Sequence, residues 1–148
     1  MPYEKTINGI LYSNNKELLQ INGIHHYLSE ESYWAKGIPL DLLEECIKGS
    51  ICFAAYADKK QIAFARVITD GASFGYLADV FVLETYRRKG IANELMNFIM
   101  AHEPVTKFRR FMLATKDAHI LYQKFGFKPL AQPDRFMEIK PFENYSLK

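Results

Sequence analysis

DVFVLETYRRKGIANELM, residues 79–96, is the stretch on which the fold of this chain turns. It begins as an apolar, β-compatible run and passes through a short charged turn. Ile91, Leu95, Phe98 and Ile99 then recur at helical spacing, which predicts a helix over 88–102. That helix is entered through Gly90. Backbone N–H groups at a helix start have no internal acceptors, and the helix dipole adds partial positive charge there. Gly90 lets a ligand approach the main chain, Ala92 is too small to block it, and Arg87, Arg88 and Lys89 bring positive charge to the same point. Such a turn suits a pyrophosphate or a similar anion. The plainer alternative is a solvated basic turn in front of a surface helix.

Working outward, YLADVFVL (76–83) is a strand. Two further apolar runs precede it, ICFAAYA (51–57) and IAFARVI (62–68), joined as a hairpin by Asp58-Lys59-Lys60-Gln61. Upstream, residues 6–12 read as one short strand beside Asn8-Gly9. Leu18, Ile21, His25 and Leu28 share one face of a helix over about 16–28, and Pro39 suits the first turn of a second helix through Lys48. Downstream, Pro104 closes the helix over 88–102 and FMLAT (111–115) is a strand. Asp117 is a candidate cap for a helix carrying Ala118, Leu121, Tyr122 and Phe125, and Gly126 ends it. Phe127 onward and RFMEI (135–139) are candidate closing strands. No repeat, low-complexity tract or linker interrupts this order. One domain over 1–148 is expected: a mixed α/β fold whose central sheet carries helices on its faces.

Composition removes several classes. A chain of 148 residues, 49% hydrophobic and 14% aromatic, can bury a real core and is not a disordered chain. Nineteen basic against seventeen acidic side chains give a net charge of +2, too balanced to make nucleic acid or an anionic membrane the main partner. Cys46 and Cys52 fall on an apolar helix face and inside an apolar strand, which reads as two buried thiols in a reducing compartment. MPYEKTINGI has no signal-peptide pattern, and no apolar run approaches a membrane span, so a soluble cytoplasmic protein is expected. The four histidines lack metal-ligand spacing, so no metal is expected. Neither a P-loop nor a G-x-G-x-x-G turn is present.

Two motifs nevertheless stand in order. Arg87, Gly90 and Ala92 match the pattern Gln/Arg-x-x-Gly-x-Gly/Ala between a strand and a helix, and Leu121, Tyr122, Gly126 and Phe127 match Leu-Tyr-x-x-x-Gly-Phe at the end of the next helix. On these residues the chain resembles the GCN5-related N-acetyltransferase superfamily, over about 50–130 by motif and before that by helix pattern alone. The resemblance implies an acyl-CoA N-acyltransferase fold: a central, mostly antiparallel sheet flanked by helices, with its fourth and fifth strands splayed. Acetyl-CoA would be the acyl donor. Its pantetheine arm would pair with the main chain of Val80, Phe81 and Val82, and its pyrophosphate would sit on the amides of 87–92, thus on Arg87, Arg88, Lys89, Gly90, Ile91 and Ala92.

Transfer from a thioester to an amine needs a neutral amine, a polarised carbonyl and a proton for the departing thiolate. Tyr122 stands where the family places its general acid, and a phenol stays protonated at neutral pH; the alternative is a tyrosine packed in the core. Family members place a basic carboxylate, or the water chain it anchors, on the strand that holds Asp79. A carboxylate on so apolar a strand must face a cleft or be paired, and Arg66 on the neighbouring strand is a ready partner. Thr115 replaces the asparagine that many members carry seven residues before the tyrosine; its hydroxyl could bond the pantetheine or cap the helix. His119 could reach the cleft but has no assigned partner.

The acceptor, by the same resemblance, would be an amine bound against the segment between the first two helices. Tyr33 and Trp34 there could form an aromatic face for it, or could simply cover the sheet. The implied reaction is direct transfer in a ternary complex, since neither cysteine lies in the motif segments. The rival is a module that binds acetyl-CoA as a sensor or regulator without catalysis. A nucleic-acid binder using Lys107-Phe108-Arg109-Arg110 is disfavoured by the charge balance. A homodimer is left open by the family.

Overall fold

Two pairs of residues with positive φ build the hairpins of the sheet. Asn8 (φ 51°) and Gly9 (φ 78°) turn one, and Asp58 (φ 48°) and Lys59 (φ 69°) turn another. Such left-handed pairs match the twist of the strands they join. In the computed structural model, which describes residues 1–147, the stretch 6–12 is therefore a hairpin, not one strand. Its arms are β1 (Glu4–Ile7) and β2 (Ile10–Ser13). β3 (Ser50–Ala57), β4 (Lys60–Thr69), β5 (Phe74–Val82) and β6 (Arg110–Leu113) follow, and the sheet is ordered β1-β2-β3-β4-β5-β6. Every neighbouring pair is antiparallel except β5 and β6, which are parallel. The expected fourth and fifth strands are thus β5 and β6.

The helices are shorter than their apolar periodicity. A single 3₁₀ turn (Lys16–Leu18) is separated from α1 (Ile21–His26), which runs into a π turn (Tyr27–Glu31). The expected helix over 16–28 breaks at Gln20. Its backbone N–H donates to the Gln61 side-chain oxygen at 2.8 Å, the Gln61 N–H donates to Gln20 Oε1 at 3.0 Å, and Gln20 Nε2 donates to the Lys59 carbonyl at 2.7 Å. This clamp on β4 takes the donor that a continuous helix would need. α2 (Leu40–Lys48) starts from Pro39, α3 (Ile91–Met100) from Gly90, and α5 (His119–Gln123) follows β6. Pro104 does not end α3 but lies in the first turn of a short α4 (Glu103–Thr106).

Alternation along the strands splits the core. Phe53, Ala63, Ala65, Leu77 and Val82 pack with Ile91, Leu95, Met96, Phe98 and Ile99 of α3. Their neighbours Cys52, Phe64 and Phe81 pack with Ile24, Leu28, Leu43 and Ile47 of α1, the π turn and α2. The result is a mixed sheet with helices on both faces. No described helix is long and apolar enough to cross a membrane.

The closing strands expected at Phe127 onward and at 135–139 do not form among the described residues. The Phe127 N–H instead donates back to the Tyr122 carbonyl, and the Gly126 N–H to Gln123, completing the helix end with Gly126 at φ 96°. Pro129 and Pro133 lack the N–H that a ladder needs, and a 3₁₀ turn (Pro133–Arg135) occupies the start of RFMEI.

Candidate active site

β5 and β6 pair only from Phe74↔Arg110 to Leu77↔Leu113. Beyond Leu77, β5 continues to Val82 without β6 beside it, so the strands part over residues 78–82. On its other side β5 carries a β-bulge. Ala78 opposes Arg66 and Phe81 opposes Phe64, leaving Asp79 and Val80 against Ala65 alone, with Asp79 at φ 56°.

The bulge aims the Asp79 carboxylate at two donors. Arg66 Nε donates to Oδ2 at 2.6 Å and Trp34 Nε1 to Oδ1 at 2.7 Å. Arg66 also donates to the Ser50 hydroxyl at 3.0 Å. The ion pair is buried, with side-chain exposures of 13% for Arg66 and 7% for Asp79. Of the two roles open to Asp79, the partnership with Arg66 is the one seen, and both carboxylate oxygens are engaged in holding neighbours.

After Val82 the chain makes a 3₁₀ turn (Glu84–Tyr86), passes Arg88 at φ 65° and enters α3 at Gly90, φ 78°. No side chain caps α3, and its first backbone bond is Glu94 N–H to the Gly90 carbonyl. The amides of 91–93 therefore keep no intrahelical acceptor. A Cβ placed on Gly90 would meet nothing within 4 Å, so this face of the turn is open. The basic side chains divide their work. Arg87 turns back, its Nε donating to the Val82 carbonyl at 3.0 Å and its terminal nitrogen to the Tyr27 hydroxyl at 2.9 Å. Tyr27 is stacked on Phe81 at 4.0 Å. Arg87 thus fastens the turn to the strand end, though like Arg88 and Lys89 it is exposed, and Lys89 lies above the Tyr86 ring. Ile91 packs into the core, so it offers the site its main chain alone.

A cleft of about 360 Å³ opens between β6 and α5, lined among others by Leu113, Thr115, His119, Tyr122, Phe127 and Leu130. Tyr122 is 8% exposed and meets the Phe127 ring edge-on at 5.9 Å. Burial, with smaller contributions from Tyr33 and Asp117, pushes its phenol up to about 12. It is a neutral hydrogen donor across the physiological range. The Thr115 hydroxyl accepts the Ala118 N–H at 3.0 Å, one residue before α5, and no side chain caps that helix, so the expected cap at Asp117 does not form.

The acceptor-side residues split in the same way. Trp34 is committed through its indole N–H to Asp79, and Tyr33 meets the Trp34 ring edge-on at 5.1 Å. Tyr33 itself is 50% exposed, with Lys116 Nζ 5.2 Å above its ring. Tyr33 therefore reaches the loop that leads into α5, beside Tyr122. Tyr27 belongs to the segment expected to wall the acceptor but instead holds Arg87, while Ser50 and Lys116 are not marked by the sequence. Their partners lie far along the chain, and no local motif marks them. Among the described residues no group of three or more His, Cys, Asp and Glu side chains could hold a metal ion.

Comparison with known proteins agrees with this fold. The family model described as "Acetyltransferase (GNAT) domain" matches residues 48–129. A Gibberella zeae protein named as an acetyltransferase is 29% identical, the alignment covering 90% of this chain and 87% of that protein. A Xanthomonas campestris pv. campestris crystal structure, described as belonging to the GNAT family, is 45% identical. It superposes with a TM-score of 0.88 over 91% of this chain and 95% of that one. Glucosamine-6-phosphate N-acetyltransferase from Arabidopsis thaliana shares the fold at 15% identity, with a TM-score of 0.61 over 90% of this chain and 97% of that one.

Proposed function

Because this chain belongs to the GNAT acetyltransferase family, we propose that it moves the acetyl group of acetyl-CoA directly to an amine of its acceptor. The observation that carries this reading is the coincidence of two features at one end of β5. An uncapped helix start sits beside a strand whose edge is freed by the parting of β6. The first offers amides to a pyrophosphate, and the second offers the main chain of Val80, Phe81 and Val82 to the amides of a pantetheine arm. Arg88 and Lys89 add charge to the pyrophosphate end, Arg87 keeps the turn in place, and Gly90 with Ala92 leaves room for close approach.

In the chemical step the neutral amine attacks the thioester carbonyl, forming the C–N bond. The C–S bond breaks, and the departing thiolate takes its proton from the Tyr122 hydroxyl. The proton lost by the amine passes through water, since both Asp79 oxygens are engaged, and water returns a proton to the Tyr122 phenolate. Asp79 then acts by fixing Trp34 and Arg66. Tyr33 and Trp34 wall the acceptor side. The free thiols of Cys52, which is buried, and Cys46, which is only half-buried rather than buried as expected, support a cytoplasmic setting.

The test is release of free CoA thiol across a panel of amines, read together with acetyl-CoA binding. Turnover with at least one amine, lost in Tyr122→Phe while acetyl-CoA still binds, is the expected result. Tight acetyl-CoA binding with no amine acetylated would replace this reading with a sensor or regulatory module.

A further inference from the structure

Trp34 is the chain's one tryptophan, and its indole N–H is tied to Asp79 at 2.7 Å. The loop that carries it, residues 32–38, is pinned to the body by the buried side chains of Ala35 and Ile38. The Gly37 N–H adds a bond to the Ser29 carbonyl at 3.0 Å. One further bond comes from far along the chain. The Lys36 carbonyl, two residues from Trp34, accepts the Tyr145 N–H at 2.9 Å.

The seat of this bond is shaped for it. Gly37 has φ 77°, and a Cβ there would lie 3.0 Å from the Ser146 nitrogen and 3.1 Å from its Cα. The main chain of 145–146 therefore rests directly on Gly37, where a side chain would push it away. Tyr145 packs against the buried cluster of Ile24, Leu43, Ile47, Phe64 and Phe81, the same cluster that Trp34 packs against. It also meets the Phe142 ring at 5.5 Å. Asn144 Oδ1 accepts the Ser146 N–H at 3.0 Å and the Ser146 hydroxyl at 2.6 Å, which secures the turn Tyr145–Leu147. Burial raises the Tyr145 phenol, Cys46 and Asp79 add to the rise, and Arg66 opposes it. The ring thus lies within electrostatic reach of the buried pair that holds Trp34.

We propose that Tyr145 is a positioning residue for the acceptor: by clasping the loop at Lys36 and Gly37, it keeps the Trp34 indole against Asp79. The inference rests on the reading of Trp34 as part of the acceptor wall. That wall is then held at two points, the indole by a carboxylate and the main chain by the clasp. With the clasp released, Ala35 and Ile38 still tie the loop down. The wall loosens while the fold stays intact, so the effect falls on acceptor binding. Acetyl-CoA, read as bound on the turn 87–92, is left unaffected.

Because Trp34 is the one tryptophan, its fluorescence reads the wall directly in the full chain. Tyr145→Ala should shift the emission to longer wavelength and make it easier to quench with acrylamide, with far-UV circular dichroism unchanged. Asn144→Ala loosens the turn without touching the apolar seat, and should move both in the same direction by less. It carries the test should Tyr145→Ala alter the fold. Tyr145→Phe keeps the ring and should match the wild type. With any amine that is acetylated, Tyr145→Ala should raise the amine KM about tenfold and leave the KM for acetyl-CoA unchanged. Emission and quenching that stay at wild-type values in Tyr145→Ala overturn the proposal. So does a shifted Trp34 with an unchanged amine KM. The fluorescence needs no acceptor, so it decides on the clasp even where no amine is acetylated, the result that would sink the proposed reaction.

Discussion

Arg66 Nε stands 2.6 Å from Asp79 Oδ2 at the one point where β5 bulges away from β4. The contact links three parts of the molecule, because Asp79 also holds Trp34 and Arg66 also reaches Ser50 at the start of β3. Removing one member of a buried pair strands the other charge. Asp79→Ala should therefore lose about 3–5 kcal/mol of stability in urea unfolding. Replacing both partners by apolar residues should recover much of that loss. The same cycle separates the roles of the carboxylate. A positioning Asp79 predicts that Arg66→Met reproduces most of the kcat loss of Asp79→Asn. A base at Asp79 predicts that only Asp79→Asn abolishes transfer.

The turn before α3 should be sensitive at a residue that need not touch the ligand. Arg87 spends its hydrogen bonds on the Val82 carbonyl and the Tyr27 hydroxyl. Arg87→Ala frees the turn, and a lost charge-assisted bond of about 1.5–3 kcal/mol should appear as a rise of about tenfold or more in the KM for acetyl-CoA. Tyr27→Phe keeps the stack on Phe81 but removes one acceptor, so it should reproduce part of that rise. The KM of the amine should stay unchanged in both variants.

What could be read from the sequence, and what could not, follows the range of the interactions. The β3–β4 hairpin, α3 and the strand–turn–helix at Gly90 are written in neighbouring residues, so periodicity and turn chemistry find them. Asn8-Gly9 carried its hairpin signal too, but the runs on either side are only four residues each and read as one strand. The break at Gln20 depends on Gln61, forty-one positions away, and no local pattern shows it. RFMEI has a strand pattern, but the proline-started 3₁₀ turn Pro133–Arg135 takes its first residue out of extended register. In the site, Tyr122 and the turn 87–92 were marked by motifs. The roles of Asp79 and Trp34 needed the bulge, which sets two distant donors around one carboxylate.

Gly90→Ala separates a backbone effect from a ligand effect. At φ 78° an alanine is strained by about 1 kcal/mol, which should show as a small fall in Tm. The added Cβ meets no protein atom within 4 Å, so the fold itself has no steric reason to lose more. If acetyl-CoA lies against this turn, its affinity measured by calorimetry should fall by more than the stability does. Equal losses would place the ligand elsewhere.

Tyr122 sets the pH behaviour. Burial raises its phenol from 10.0 to about 12, so folding favours the protonated form. The stabilisation is complete below pH 10, where the phenol is neutral in both states, and it is lost as pH rises from 10 toward 12. For catalysis the same shift keeps the donor protonated, so kcat/KM should climb as the amine loses its proton and show no descending limb from Tyr122 below about pH 11. Tyr122→Phe retains the ring against Phe127 and removes only the proton donor. It should lower kcat by about a hundredfold or more with acetyl-CoA binding unchanged. The same variant should unfold less readily than wild type above pH 10, by of order 2 kcal/mol, because it has no phenol to ionise on unfolding. A kcat unchanged in Tyr122→Phe, with the alkaline stabilisation still present, would make Tyr122 a core tyrosine and send the search for the proton donor to His119 and Lys128, the other titratable side chains lining the cleft.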